Sequence, residues 1–330
     1  MPNAKISGTG FFVPPKVMTN HDLSQFMDTN DEWIQERTGI KERRYVENGA
    51  STSDLAIPAV EMAMERAGVT KEDIGLIIFA TSTPDYYAPG SGCLLQEKMD
   101  FPTIGALDIR VQCSGFVYGL SVAQQYIENG IHKHILVIGA EVQSTAMDLS
   151  TRGRDTAVIF GDGAGVAVVS ASHDDSGILS THLHSEGKHC RELWVEAPSS
   201  GVTPRLNQEI LDEGRHFLQM NGKEVFRHAV TRFPQVIMEG LDANGLTPED
   251  IDLLVPHQAN IRIAQMIQKR LKLRDDQVFS NIHKYGNTTA ASIPIALCEA
   301  MDEGRVKKGD LVVFAAFGSG FTWASAIVKW

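Results

Sequence analysis

Two similar α/β halves, each built around one sheet and packed pseudo-symmetrically, are what this 330-residue sequence predicts. The first observation is an internal repeat. Gly68-Val-Thr-Lys-Glu-Asp-Ile-Gly-Leu-Ile-Ile-Phe79 parallels Gly245-Leu-Thr-Pro-Glu-Asp-Ile-Asp-Leu-Leu-Val-Pro256. Each reads as a glycine that stops a helix, a short turn and a buried strand. The second is that the repeat continues. Asn129-Gly130 followed by His134-Ile-Leu-Val-Ile-Gly-Ala140 matches Glu303-Gly304 followed by Asp310-Leu-Val-Val-Phe-Ala-Ala316. The third is composition: short strands with few polar residues alternate with helices, which predicts parallel sheets covered on both faces.

In chain order, the first half spans residues 1–172 and the second 173–330. Near their junction, Thr156-Ala-Val-Ile-Phe-Gly-Asp-Gly-Ala-Gly-Val-Ala-Val-Val-Ser170 reads as a strand, a Gly-rich turn and a second strand. Residues 183–214 have weak periodicity and read as an inserted loop region. No Pro-, Ser- or charge-rich linker divides the chain.

Composition narrows the function. The chain is 43% hydrophobic and 22% charged, as globular proteins are. No apolar run is long enough to span a bilayer. The first residues lack the charged-then-apolar pattern of a signal peptide, so a cytoplasmic location is expected. A net charge of −11 disfavours general nucleic-acid binding, yet a local cluster of Arg and Lys can still attract an anionic partner. Four cysteines, Cys93, Cys113, Cys190 and Cys298, form no C-x-x-C pair and no disulfide framework.

The repeat also relates residues suited to chemistry. Cys113 lies 17 residues before Gly130, and Asn287 lies 17 before Gly304, so both are expected to open the equivalent helix of their half. A thiol at a helix N-terminus meets the positive end of the helix dipole, which lowers its pKa. Read by position alone, Cys113 is equally a small buried hydrophobe, as Cys93, Cys190 and Cys298 are. His257, after the strand 251–255, can donate a hydrogen bond or shuttle a proton, or it can simply cap a helix. Ligands bind beyond the carboxyl ends of strands in open sheets, where these three residues fall. Asn287 reads as an N-cap or as a donor to an oxyanion. Gly318-Ser-Gly320 reads as a tight turn or as backbone donors that approach a substrate closely. Gly161-Asp-Gly-Ala-Gly165 lacks the helix a dinucleotide site needs. His182, His184, His189 and Cys190 read as a solvated strand end rather than a metal site, so no metal is expected.

Together these strings resemble the thiolase-like condensing enzymes, specifically the β-ketoacyl-[acyl-carrier-protein] synthase III family, over essentially the whole chain. The resemblance rests on Asp31-Glu-Trp-Ile-Gln-Glu-Arg-Thr-Gly-Ile-Lys-Glu-Arg43, Arg110-Val-Gln-Cys-Ser-Gly-Phe116, Ile159-Phe-Gly-Asp-Gly-Ala-Gly165, His257-Gln-Ala-Asn260, Gly286-Asn-Thr-Thr-Ala-Ala-Ser292 and Gly320-Phe-Thr-Trp323. It implies a five-layered αβαβα fold and a cytoplasmic homodimer. It implies decarboxylative condensation of an acyl-CoA primer with malonyl-acyl carrier protein (ACP), initiating fatty-acid or related synthesis without a cofactor. Cys113 would carry the acyl group, His257 and Asn287 would hold the thioester carbonyl of the extender, and backbone N–H groups of Cys113, Gly318 and Ser319 would form the oxyanion hole.

The same resemblance points to Trp33, Arg37, Arg154, Gly222, Phe226 and Asn260 for CoA and its pantetheine arm. It points to Arg227, Arg262, Lys269 and Arg270 for ACP. In Ala80-Thr-Ser-Thr-Pro-Asp-Tyr-Tyr-Ala-Pro89, Ala88 falls where acetyl-selective members place a phenylalanine that closes the acyl pocket from the partner subunit, with Tyr86 and Tyr87 beside it. Each added methylene of a primer buried there gains about 0.8 kcal/mol, so primers longer than acetyl are expected. Relatives that only transfer acyl groups, or that join two long acyl chains, share the nucleophile and stay as alternatives. A papain-like protease also has the order Cys, His, Asn at this spacing, but this sequence lacks its Cys-Gly-Ser-Cys-Trp string.

Overall fold

The computed structural model describes residues 2–330. Its strands are β1 (Asn3–Phe12), β2 (Lys16–Thr19), β3 (Glu42–Tyr45), β4 (Leu76–Ala80), β5 (Gly105–Ile109), β6 (His134–Glu141), β7 (Gly163–Ser172), β8 (Gly177–Ser185), β9 (Leu193–Trp194), β10 (Gln219–Met220), β11 (Leu253–Pro256), β12 (Leu311–Gly318) and β13 (Thr322–Lys329). Its helices are α1 (Asn20–Leu23), α2 (Asp31–Thr38), α3 (Thr52–Ala67), α4 (Ser91–Lys98), α5 (Gly115–Glu128), α6 (Arg154–Ala157), α7 (Gln208–Asp212), α8 (Gly222–Ala243), α9 (Ile261–Leu271), α10 (Ile282–Tyr285) and α11 (Ser292–Asp302).

Two sheets carry the molecule, ordered β1-β7-β6-β4-β5 and β11-β12-β13-β8. Helices α5 and α11 lie between them, α3 and α4 cover the outer face of the first, and α8 and α9 cover the second. That is a five-layered αβαβα arrangement. Alternation along each strand explains why the strands read as continuous apolar runs. Leu76 and Ile78 face the central helices while Ile77 and Phe79 face α3. Val312, Phe314 and Ala316 face inward, and Val313, Ala315 and Phe317 face α8.

The repeat is visible in the backbone. Gly68 and Gly245 stop α3 and α8 in the left-handed region, with φ of 65° and 66°. Parallel pairing of β4 with β6 matches that of β11 with β12. The second sheet lacks a full counterpart of β5; only an isolated bridge from Val278 to Leu254 takes that place.

Three expectations change. The sheets are mixed rather than parallel: β7 runs antiparallel to both β6 and β1, and β13 to both β12 and β8. An apolar strand buried on both faces has the same sequence pattern in either direction. Residues 156–170 form no strand–turn–strand; α6 comes first, and a single strand starts at Gly163. Gly163 and Gly165 sit inside β7 because α11 presses on it: a Cβ at Gly165 would lie 2.7 Å from the Ile295 nitrogen and 2.8 Å from the Pro294 side chain. Finally, Leu183–Ser185 belong to β8, paired with β13, so the irregular stretch starts after them and contains β9 and α7.

Gly10 in β1 lies against α3, where a Cβ would run into the Ala59 carbonyl and the Ala63 nitrogen. Gly10→Ala is expected to destabilise the fold by about 1–3 kcal/mol, as overpacking does. Gly187→Ala, with open space around it, is the control. Thermal unfolding of the two variants checks this: only the first lowers the melting temperature.

Candidate active site

Cys113 follows β5 in a tight turn, Gln112–Ser114, that leads into α5. Gln112 has φ of 43°, a strained value for a residue with a side chain. Opposite the thiol, β12 ends at Gly318. A Cβ on Gly318 would lie 2.6 Å from the Cys113 Cβ and 2.9 Å from its Sγ, so only glycine fits. The N–H groups of Ser319 and of Cys113 itself point at the sulfur.

Burial overrides the helix terminus as far as the thiol pKa is concerned. Desolvation, then the nearby Glu141 carboxylate, push Cys113 up to about 12, against the pull of those two N–H groups. The downward shift expected from the helix N-terminus is therefore not the net outcome. Cys113 rests as a neutral thiol.

His257 stands just beyond β11, its N–H donating to the Ala315 carbonyl at 2.8 Å. Its Nδ1 lies 2.6 Å from the Ser292 hydroxyl at the start of α11. Its Nε2 is buried and has no hydrogen-bond partner among the described residues. Burial pushes the imidazole down to about 3, so it stays neutral at any working pH.

Asn287 sits ahead of α11 and is clamped by its backbone: its N–H donates to the Ile159 carbonyl at 2.9 Å, and its carbonyl accepts from Gly161 at 3.0 Å. Its side-chain Oδ1 accepts the Thr289 N–H at 2.8 Å. The capping role thus uses the oxygen and leaves the amide N–H groups free of that turn. Asn287 does not open α11 as Cys113 opens α5. Thr289, with φ of 50°, is the counterpart of Gln112. The two are separated by the same 177 residues as Gly68 and Gly245, which sets Cys113 opposite Ala290. Spacing counted from the helix ends fails because α11 is three residues shorter than α5.

Cys113, His257 and Asn287 retain 6%, 4% and 5% exposure, so each is closed to bulk water. The turn at Cys113 packs against both β12 and the turn 289–291.

The chain aligns over 327 residues, 46% identical, with a β-ketoacyl-[acyl-carrier-protein] synthase III from Caldanaerobacter subterraneus, covering 99% of this chain and 98% of that one. The crystal structure of 3-oxoacyl-[acyl-carrier-protein] synthase III from Aquifex aeolicus superposes with a TM-score of 0.91 at 42% identity, over 99% of this chain and 100% of that one. The Thermus thermophilus enzyme gives 0.91 at 40%, over 99% of each chain. Family profiles for 3-oxoacyl-[acyl-carrier-protein] synthase III match residues 107–187, and for its C-terminal part residues 241–330. The chain belongs to the β-ketoacyl-[acyl-carrier-protein] synthase III family.

As a synthase III it is an acyltransferase of the condensing type with a thiolase-like fold, which sets aside the papain-like reading. A groove of about 460 Å³ is lined by Trp33, Arg37, Gly222, Phe226, Asn260 and Arg262. The guanidinium carbons of Arg37 and Arg154 lie 4.4 and 4.8 Å from the Trp33 ring centre. Asn260 is occupied as the N-cap of α9: Oδ1 accepts from Arg262 at 2.9 Å and Nδ2 donates to the Arg37 carbonyl at 2.8 Å. Arg227 on α8 and Arg262, Lys269 and Arg270 on α9 are all exposed on two packed helices.

Tyr86, Tyr87 and Ala88 are exposed, Tyr87 under the Arg205 guanidinium at 5.0 Å, so within one protomer they line no closed pocket. His182 and His184 both meet Glu239, whereas Glu186, His189 and His228 cluster apart from them. Lys188 and Arg232 already hold Glu186, and Arg227 lies 3.0 Å from His228 Nε2, so the cluster reads as an ion-pair network. Sequence reasoning missed Ser292 and Glu141. The signal for Glu141 was a lone acid closing an otherwise apolar strand.

A histidine held neutral with a depressed pKa contributes stability that is full above the unfolded value of 6.5 and is lost as pH falls toward about 3. His257→Asn is therefore expected to lose less stability than the wild type between pH 6.5 and 4. Melting temperatures across that range check it.

Proposed function

We propose that the enzyme joins an acyl-CoA primer to malonyl-ACP through an acyl-Cys113 intermediate. The observation that carries this reading is the buried thiol set against the Ser319 N–H, on the same closed edge as a neutral histidine with an unpartnered Nε2. In the first half-reaction the Cys113 sulfur attacks the primer carbonyl. The N–H groups of Cys113 and Ser319 hold the oxyanion, with Gly318 supplying the clearance. The proton leaves with the departing CoA sulfur, so a neutral thioester replaces a neutral thiol.

In the second, the thioester carbonyl of malonyl-ACP accepts hydrogen bonds from His257 Nε2–H and Asn287 Nδ2. Carbon dioxide leaves and its bonding pair becomes the enolate. The enolate carbon attacks the acyl carbonyl, a carbon–carbon bond forms, and the carbon–sulfur bond to Cys113 breaks. One proton is taken up to restore the thiol. A Ser292 hydroxyl donating to Nδ1 keeps the proton on Nε2, where it is needed. Decarboxylation supplies the carbanion, so no cofactor and no catalytic carboxylate enter.

The Trp33–Arg37–Arg154 stack offers planar cations to the adenine and phosphates of CoA, and the groove past Gly222, Phe226 and Asn260 leads the pantetheine arm inward. Arg227, Arg262, Lys269 and Arg270 form a basic doorway for acidic ACP. Two copies pair through β5, whose outer edge has no neighbour and whose Leu107 is 38% exposed. That pairing carries Tyr86, Tyr87 and Ala88 to the partner's acyl pocket. No described helix is long and apolar enough to cross a membrane.

Intact mass spectrometry with a panel of acyl-CoAs should place the acyl group on Cys113. His257→Ala and Asn287→Ala should keep acylation while condensation falls by about 10²–10⁴-fold. Acylation elsewhere, or equal loss of both steps, contradicts the assigned roles. Primers longer than acetyl should be accepted, and Ala88→Phe should narrow the range toward acetyl. Rates across chain lengths decide this, and a sharp wild-type preference for acetyl-CoA would sink it.

A further inference from the structure

Glu141 ends β6 with no solvent exposure, and the chemistry above does not use it. Its carboxyl oxygens accept the Ser82 N–H at 3.0 and 3.1 Å and the Ser82 hydroxyl at 2.8 Å. They also accept the hydroxyls of Thr83 at 2.7 Å and Thr81 at 3.3 Å, Gln143 Nε2 at 3.4 Å, and the Ala290 N–H. None of these partners is a cation. A buried carboxyl without a counter-charge is expensive, so its retention points to a role.

The donors come from the turns that build the site. Thr81, Ser82 and Thr83 start the loop that carries Ala88. Gln143 Nε2 also donates to the Thr289 hydroxyl at 2.9 Å, and Thr289 holds Asn287. Ala290 is the counterpart of Cys113. Burial pushes Glu141 up to about 7, with the hydroxyls pulling down, so its charge changes near neutral pH. The only other acid in the network, Asp162, takes the backbone N–H of Gln143. Around the thiol itself stand Glu141 and the N–H groups of Cys113 and Ser319.

We propose that Glu141 is a positioning residue that ties the Asn287 turn to the Ala88 loop and, through its charge, reinforces the burial that keeps Cys113 a neutral thiol in the resting enzyme. A thiolate beside this carboxylate is repelled, whereas the acylated sulfur is neutral and is not. The arrangement favours the acyl-enzyme over the free thiolate and protects the idle thiol from stray electrophiles.

The proposal rests on Cys113 being the nucleophile, yet alkylation reads the thiol whether or not it takes the acyl group. The experiment is the pH dependence of iodoacetamide alkylation at Cys113, followed by peptide mass, in the full-length enzyme. Glu141→Gln should raise the alkylation rate about two-fold at pH 7, where the carboxyl is half ionised, and about ten-fold by pH 9, as a shift of about one unit requires. Thr83→Val removes a donor to the charged carboxylate and should raise the rate by less; it decides the matter if Glu141→Gln does not fold. Unchanged profiles in folded variants overturn the proposal. Acyl-CoA labelling of another residue would overturn the nucleophile assignment instead.

Discussion

The close approach of Gly318 to Cys113 is the constraint on which the site depends. It brings the end of β12, from the second half, against the turn before α5, from the first. No side chain fits between them. Once that contact is made, the Ser319 N–H faces the sulfur. His257 is then set by β11, which pairs with β12 in register, Val255 with Phe314. Asn287 is set by its backbone bonds to Ile159 and Gly161, ahead of α11, which shares the central layer with α5. The two halves thus supply different pieces to one edge, and the shared helical layer holds them in register.

Burial gives that edge a common electrostatic logic. It raises the thiol, lowers the imidazole and raises the Glu141 carboxyl, in each case toward the neutral form. A neutral thiol and a neutral imidazole are inexpensive to bury, while the Glu141 carboxyl, at about 7, stays partly charged beside them. At the reacting atoms charge appears only as the reaction proceeds, first as an oxyanion and then as an enolate. Fixed N–H dipoles in a dry site meet it without reorganising. A charged histidine would bind an anion more strongly, but at this depth it would cost several kcal/mol to keep ionised. Hydrogen-bond donation from a neutral ring is the solution burial permits.

The repeat was legible because helix stops are chemically marked: Gly68 and Gly245 need φ near 65°, and glycine adopts it freely. Cys113 and His257 were expected at strand ends and lie there, after β5 and β11, whereas Asn287 follows α10. Strand direction was not legible, since β7 is apolar on both faces whichever way it runs. Its glycines looked like a turn because the reason for them, the pressure of α11 at Pro294 and Ile295, comes from residues over a hundred positions away. The offset of Asn287 was hidden for a related reason. Counting from Gly304 assumes helices of equal length, and α11 starts late. The upward shift of the Cys113 thiol is a tertiary effect of closure, and no local pattern encodes it.

The surface obeys a different rule from the interior. The chain carries a net −11, yet Arg227, Arg262, Lys269 and Arg270 are gathered on α8 and α9 around the exposed Phe226 and Met266. At physiological ionic strength charges farther than about 8 Å are largely screened, so an approaching acidic protein senses this patch and not the total. The exposed Phe226 and Met266 on the same two helices contribute apolar area that charge alone does not. Arg262 also lines the groove with Trp33 and Arg37. In the proposed reading one side chain therefore belongs to both the doorway and the channel, and that continuity would let a carrier docked on α8 and α9 deliver its pantetheine arm toward Cys113.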